Sequence, residues 1–264
     1  MSNVEGAVEF LERQRSVQSS FFAASQGQFA LSFLGTSSTR GIAVALSLHP
    51  LLGLERVAGG PLRVELQGEL QRGAFAGESV TISLTDWERF RGYQLKTETA
   101  VSDEDPRLCE ALGAGRLALT ASQVFTVHHT PNTVHMFETI PVEDVVETAR
   151  VARWAVVGVG TAANVSPRFL TSFEVNDGVL ALFHGDGHFN KTWMNLQQNT
   201  DASHLVFDRA DGTGYLFEGR CEEITADAAP RAYAETQLHY PRLGYGPPAR
   251  VYRQLVRRLT AVRA

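Results

Sequence analysis

Short β-type runs, separated by glycine, proline and Asx residues, follow one another at hairpin spacing along most of this chain, and that rhythm limits what it can fold into. The runs fall at 29–34, 42–48, 62–66, 80–84, 93–101 and 117–128, then at 154–159, 165–175, 179–183, 203–207, 215–224 and 251–262. β-Branched and aromatic residues in short segments bounded by turn residues favour strands. Asn176-Asp177-Gly178 between two of the runs is a hairpin signal, because these residues tolerate the positive φ of a tight turn. Helical spacing is confined to a few places. In 3–25, Val4, Ala7, Val8, Leu11 and Val17 recur at near-helical intervals, and further helices are expected at 105–112, 141–151, 190–199 and before a Pro/Gly-rich loop at 240–248. Many strands with few helices imply closed antiparallel barrels rather than a parallel sheet. The expected class is mainly β: a β-barrel with peripheral helices.

The order of elements begins again halfway along. Phe29-Ala30-Leu31-Ser32-Phe33-Leu34-Gly35-Thr36 lines up with Trp154-Ala155-Val156-Val157-Gly158-Val159-Gly160-Thr161. Arg91-Gly92-Tyr93-Gln94-Leu95-Lys96 lines up with Thr213-Gly214-Tyr215-Leu216-Phe217-Glu218. The offsets are 125 (161 − 36) and 122 (215 − 93). Two anchors at nearly equal offset indicate an internal repeat, with generic barrel composition as the competing account. A chain of 264 residues has room for two domains. The boundary is expected near 140, giving domains 1–140 and 141–264.

Charge and composition exclude several classes of partner. A net charge of −5 gives no general attraction to nucleic acid or to an anionic membrane, so any anion site must be local. No apolar run approaches the roughly 20 residues needed to span a bilayer. Glu5, Glu9, Glu12 and Arg13 make the first fifteen residues unlike a signal peptide. Cys109 and Cys221, the two cysteines, are far apart and fit no metal or redox spacing. The expectation is a cytoplasmic protein with reduced thiols, whose partner is a small molecule rather than nucleic acid or membrane.

The chemistry gathers around Asn190-Lys191-Thr192-Trp193-Met194-Asn195-Leu196. Asn190 can cap a helix whose first turn holds Lys191 and Thr192. A helix start presents unpaired N–H groups and a partial positive charge, to which Lys191 adds a full charge and Thr192 a hydroxyl, so the segment reads either as a phosphate site or as a capped surface helix. Trp193 and Leu196, three apart, can face a barrel. Arg168, in the run Ser166-Pro167-Arg168-Phe169-Leu170, either points to solvent or makes a bidentate anion contact. In His184-Gly185-Asp186-Gly187-His188 the glycines mark a loop where a backbone approaches a ligand closely, while an extended conformation would align three metal ligands. His128-His129 with His135 forms a second cluster, but adjacent strand residues face opposite ways and cannot both hold one ion.

The stretch 154–224 resembles the pyridoxamine 5′-phosphate oxidase-like, FMN-binding split-barrel family. The matching residues are Asn164-Val165-Ser166-Pro167, the Lys191-Thr192-x-x-Asn195-Leu196 helix start, Asn199 at the end of that helix, and Gly214-Tyr215-x-x-x-Gly219. The likeness covers the second half well and about 21–140 only in outline. It implies two tandem split β-barrels packed as an intramolecular pseudo-dimer, with a flavin ring in the groove between them. It implies an FMN phosphate held by Ser166, Arg168, Lys191 and Thr192, with Asn195 in support and His184 and Gly185 beside the flavin. A deazaflavin is used by some relatives, and split barrels that bind haem in place of flavin also exist. The first half departs from the pattern. Residues 70–79 lack the Lys-Thr-x-x-Asn-Leu start, and Gly73 and Gly77 disfavour a helix there. One FMN per chain is therefore expected.

Three functions follow from this sequence. The first is an FMN-dependent oxidoreductase acting on a small molecule, with the protein positioning and tuning the flavin. No residue stands out as its general acid or base. The second is a non-catalytic flavin- or haem-binding protein. Haem would need a proximal histidine, for which His184, His188 and the His128 cluster are candidates, while Lys191-Thr192 speaks for a phosphate. The third is an interaction module whose sites have decayed, which the intact second-half motif opposes. A fused pair of barrels can act as a monomeric pseudo-dimer or pair again as a homodimer.

Overall fold

In the computed structural model the Asx-Gly signal folds as its chemistry dictates. Asp177 and Gly178 take positive φ angles of 52° and 78°, and they join two long antiparallel strands. The structure describes residues 3–21, 30–41, 43–57, 62–68, 79–86, 91–96, 109–113, 115–121, 123–128, 142–187, 191–242 and 245–264. Along these run helix α1 (Asn3–Phe21), strands β1 (Ala30–Thr36), β2 (Ala45–Arg56), β3 (Leu62–Gln67), β4 (Ser79–Asp86), β5 (Arg91–Lys96), β6 (Cys109–Gly113), β7 (Arg116–Ala121) and β8 (Gln123–His128), and helix α2 (Val142–Val151). They continue with β9 (Trp154–Gly160), β10 (Asn164–Asn176), β11 (Val179–Asp186), helix α3 (Lys191–Gln198), β12 (Asp201–Phe207), β13 (Thr213–Ile224), helix α4 (Pro230–Arg242) and β14 (Arg250–Arg263).

The strands form a closed six-stranded barrel, β1-β10-β11-β14-β13-β12, and an open eight-stranded sheet, β6-β7-β3-β2-β9-β4-β5-β8. The mainly β class is thus the observed one. What the sequence did not show is an exchange of strands. β1, from the first half, lies in the barrel between β10 and β12. β9, from the second half, lies in the open sheet between β2 and β4. Each half thus takes in the other's first strand, one as a closed barrel and the other as an open sheet. The ladders agree with the sequence anchors: Leu84 pairs with Tyr93 in the sheet, and Val206 pairs with Tyr215 in the barrel.

Alternation along the strands sorts their side chains into layers. Outward-facing Phe33, Val165, Leu205, Phe207 and Leu216 of the barrel pack against Val44, Leu46, Leu48 and Val156 of the sheet, forming the core between the halves. Inward-facing Leu170, Leu182, Val206 and Phe217 meet Ala7, Phe10 and Leu11 of α1 at one end of the barrel. At the other end, Leu34, Ala202, Cys221 and Tyr252 meet Leu196 of α3. α4 lies outside, on Ala181, Phe183 and Val251. In the sheet, α2 seats Val145 on Ile82, Leu95 and Val157.

Two local expectations fail. Residues 109–112, the end of the helix expected at 105–112, belong instead to β6, because they pair edge-on with β7. The single run 117–128 is two strands, β7 and β8, which pair with different neighbours, β3 and β5.

The halves approach closely at Gly158. A Cβ there would overlap Val165 Cγ2 and lie 2.9 Å from Val44 Cγ1. Gly158→Ala should therefore overpack the core between the halves and lower stability by about 1–3 kcal/mol, read as a lower urea midpoint at unchanged slope.

Candidate functional site

Thr192, in the first turn of α3, is the point on which the site converges. Asn164, Ser166 and Arg168 alternate on β10 and so share its inward face. All three reach the Thr192 hydroxyl: Arg168 Nη2 donates to Oγ1 at 2.8 Å, Asn164 Nδ2 donates at 3.3 Å, and Ser166 Oγ lies 3.1 Å away. Arg168 Nη2 also donates to Asp186 Oδ1 at 3.2 Å, and Nη1 donates to the Pro167 carbonyl at 3.0 Å. The Asp186 side chain is 1% exposed, so this is a buried ion pair whose partners depend on each other. Sequence reasoning brings Ser166, Arg168 and Thr192 together correctly in space, but they bond to one another. The arginine points neither to solvent nor outward as an anion fork.

α3 is tied to the barrel by its asparagines. Asn195 Nδ2 donates to both the carbonyl and the hydroxyl of Thr36, at 3.3 and 3.2 Å. Asn199 Oδ1 accepts from the backbone of Gly41 and of Asp201, at 3.3 and 3.1 Å. Thr36 ends β1, the exchanged strand, so the helix of the second half is seated on a strand of the first. Arg250 stacks its guanidinium over Trp193, 4.5 Å from the ring centroid.

The charge that faces outward belongs to Lys191, which is exposed at the start of α3. A second lysine, absent from the sequence reading, joins it. Lys96 ends β5 in the other half, with Nζ 3.5 Å from the Ala163 carbonyl and 5.3 Å from the Phe125 ring centroid. Burial, reinforced by the neighbouring charge of Lys191, lowers its pKa to about 8. The strands that carry Lys96 to this place are held by Thr81 Oγ1, which donates to the Ala163 carbonyl at 2.9 Å, and by Gln94 Nε2, which donates to the Val165 carbonyl. In the repeat Lys96 is the counterpart of Glu218, a reversal of charge.

Of the other expected residues, His184 and Gly185 are not in a loop. β11 continues through Asp186, because its backbone pairs with β14 as far as Arg250. Alternation turns His184 into the barrel, where it is fully buried, stacked on Tyr252 (5.4 Å between centroids) and edge-on to His204 (4.9 Å). It therefore does not lie beside a groove. Gly185 turns outward. Its carbonyl accepts from Tyr240 Oη at 2.8 Å, and a Cβ there would meet Tyr240 and Pro248. Gln254 Nε2 donates to the carbonyls of Ala202 and Phe217, leaving Oε1 to accept from His204 Nδ1 at 2.6 Å. Neither nitrogen of His184, nor His204 Nε2, nor Tyr252 Oη meets a partner among the described residues. Burial first, and then Arg168 and the paired ring, keeps His184 neutral with its pKa well below the ordinary value. Burial lowers His204 to about 4 against the bond from Gln254. Asn190, His188, His129 and His135 lie outside the described residues, as does 69–78. No group of three metal-ligating side chains occurs among the described residues.

Fold and site together define a mainly β protein built from a closed barrel and its open counterpart, with a polar cluster where α3 meets both. Comparison with known proteins adds little to that class. No protein-family profile matches the chain, and no curated protein matches it. Among solved structures it is similar to two of HupZ from Group A Streptococcus, one of them a histidine-to-alanine variant. Both are 20% identical over 39% of this chain. The matches cover 80% and 78% of those chains, with TM-scores of 0.31 and 0.32. No helix among the described residues is long and apolar enough to cross a membrane.

Neutral burial of histidine makes this fold acid-sensitive. In the unfolded chain these rings titrate near 6.5, whereas in the fold His204 and His239 protonate only near 4 and burial holds His184 well below its ordinary value. The unfolded state thus binds more protons as pH falls through 6.5, and stability present above that value is lost progressively toward 4. Each histidine contributes a slope of up to about 1.4 kcal/mol per pH unit. Urea midpoints measured from pH 7 to pH 5 should fall steeply, and His204→Gln should flatten that fall.

Proposed function

We propose that this chain binds a small phosphorylated cofactor of the FMN class, one per molecule, in the groove where α3 of the second half meets β5 of the first. The observation that carries the reading is the meeting of Lys191 and Lys96, one from each half, at the start of a helix. Bringing two ammonium groups together costs free energy unless an anion lies between them. A phosphate answers that arrangement with a double charge, and the first-turn N–H groups add to it. Ser166, Arg168, Thr192 and Asn195 then act chiefly as positioning residues, holding the first turn of α3 on β10 and β1. The pyridoxamine 5′-phosphate oxidase-like resemblance supports the same ligand, and a deazaflavin bearing the same phosphate would fit equally.

When bound, a flavin would supply hydride or electron transfer, and an oxidoreductase acting on a small molecule is the finer form of this proposal. The chain's own described residues offer that reaction no placed acid or base, which favours the binding function as the primary one. Haem is the rival ligand. His184, His204 and His239 are buried, and both ring nitrogens of His49 are engaged by Ser47 and the Gln67 carbonyl, so none of these imidazoles offers haem iron a nitrogen at the surface. A haem reading must rest on His128, His129, His135 or His188.

The test is titration with FMN, followed by flavin fluorescence. One equivalent should bind. Lys191→Ala should weaken binding by about 1.5–3 kcal/mol, roughly 10- to 150-fold, and Lys96→Met by a similar factor. The ligand's charge would raise the Lys96 pKa, so affinity should hold below about pH 8 and decline above it. The Lys96→Met variant should lose that decline. Unchanged affinity in both variants, or a Soret band with added haemin and no FMN uptake, would overturn the reading.

A further inference from the structure

The exchange of first strands fixes which residues of the two halves correspond. In the barrel, Leu34 and Ser32 of β1 pair with Ser166 and Arg168 of β10. In the sheet, the equivalent Val159 and Val157 of β9 pair with Ala45 and Ser47 of β2. The counterparts of Ser166 and Arg168 are therefore Ala45 and Ser47, with His49 where the barrel has Leu170. The counterpart of Lys96 is Glu218, already bonded to Arg258. The first half has no phosphate chemistry at this place, and it is not blank.

Ser47 and His49 line a cleft of about 480 Å³ that also takes in Gln67, Gly68, Arg258 and Thr260. Ser47 Oγ lies 2.8 Å from His49 Nε2, and His49 Nδ1 lies 3.0 Å from the Gln67 carbonyl. A carbonyl can only accept, so Nδ1 carries the ring proton and Nε2 accepts from the serine hydroxyl. Gly68 allows this. Its φ is +108°, and a Cβ there would come within 3.0 Å of His49 Nδ1, so only glycine lets the chain lay the Gln67 carbonyl on the ring. His49 is 4% exposed and kept neutral by burial, while Ser47 is half-buried and reachable from the cleft. Hydroxyl, imidazole and an orienting oxygen in line are the parts of an activated nucleophile.

We propose that this cleft is a second site, independent of the cofactor groove, in which Ser47 attacks small carboxylic esters with His49 as its base. Ser47 Oγ bonds to the acyl carbon and its proton passes to His49 Nε2. The bond to the leaving alcohol breaks, and that proton goes to the alcohol. Water, deprotonated by the same ring, then releases the acid and restores the serine.

The full chain would be treated with an alkyl fluorophosphonate and with p-nitrophenyl acetate, and the modified residue mapped by mass spectrometry. Ser47 should be the labelled residue, and ester turnover should vanish in Ser47→Ala. In His49→Gln the labelling rate should fall on the order of 100-fold. FMN binding should be unchanged in both variants, which shows that they fold and separates this site from the groove. A native chain that takes no label, a label elsewhere, or a Ser47→Ala variant that turns over ester at the native rate would overturn the proposal.

Discussion

Everything in this fold depends on two strands that cross between its halves. β1 contributes ladders to β10 and β12, and β9 contributes ladders to β2 and β4. Without β9 the open sheet falls into two pieces, and without β1 the barrel does not close. The apolar layer between Val44, Leu46 and Val156 on one side and Val165, Leu205 and Phe207 on the other is therefore backed by main-chain hydrogen bonding rather than by side-chain contact alone. Gly158 permits the approach at its centre. An interface of side chains can slip or open, whereas one built from shared ladders must break strands to do so.

The exchange also determines what the helix start can do. α3 reads Thr36 through Asn195 and the turn at Gly41 through Asn199, so its position records the state of the first half as well as the second. β5 brings Lys96 to the same spot from the other side. Beneath it, the interior of the barrel is polar to an unusual degree. Arg168, Asp186, His184, His204 and Gln254 lie between two apolar plugs made by α1 and α3. Arg168 is bonded to Asp186 and His204 to Gln254, His184 is held by ring contacts with Tyr252 and His204, and each group's burial constrains its neighbour's charge. Rigid positioning of the first turn of α3 follows directly from that network.

The fold class was legible because it rests on local rules: strand rhythm, the Asx-Gly turn at 176–178, and a repeat marked by Gly92-Tyr93 and Gly214-Tyr215. The exchange was not legible, because the repeat reads the same whichever half a first strand joins. Only the ladders separate Leu34 beside Ser166 from Val159 beside Ala45. The site was half legible. Ser166, Arg168 and Thr192 share alternation and a helix start, and they do meet. Asp186, which neutralises Arg168, lay hidden in what looked like a glycine loop, since a ladder with β14 carries the strand through Gly185 as far as Asp186. Lys96 is far away in sequence and could be placed only by knowing that β4 and β5 rest on the start of β10. β6 was misread because edge pairing, not local propensity, made it a strand.

The position of β1 has a meaning for synthesis. Residues 30–36 leave the ribosome early, yet their partners at 164–170 and 202–205 appear more than a hundred residues later. Until then a strand that is buried along its whole length in the fold has no native ladder, and the sheet of the first half lacks its centre until β9 emerges. Vectorial folding of one half at a time is therefore closed to this chain. Its nascent form carries an open edge of the kind that chaperones cover, and its folding rate is governed by closure of long loops rather than by hairpin formation.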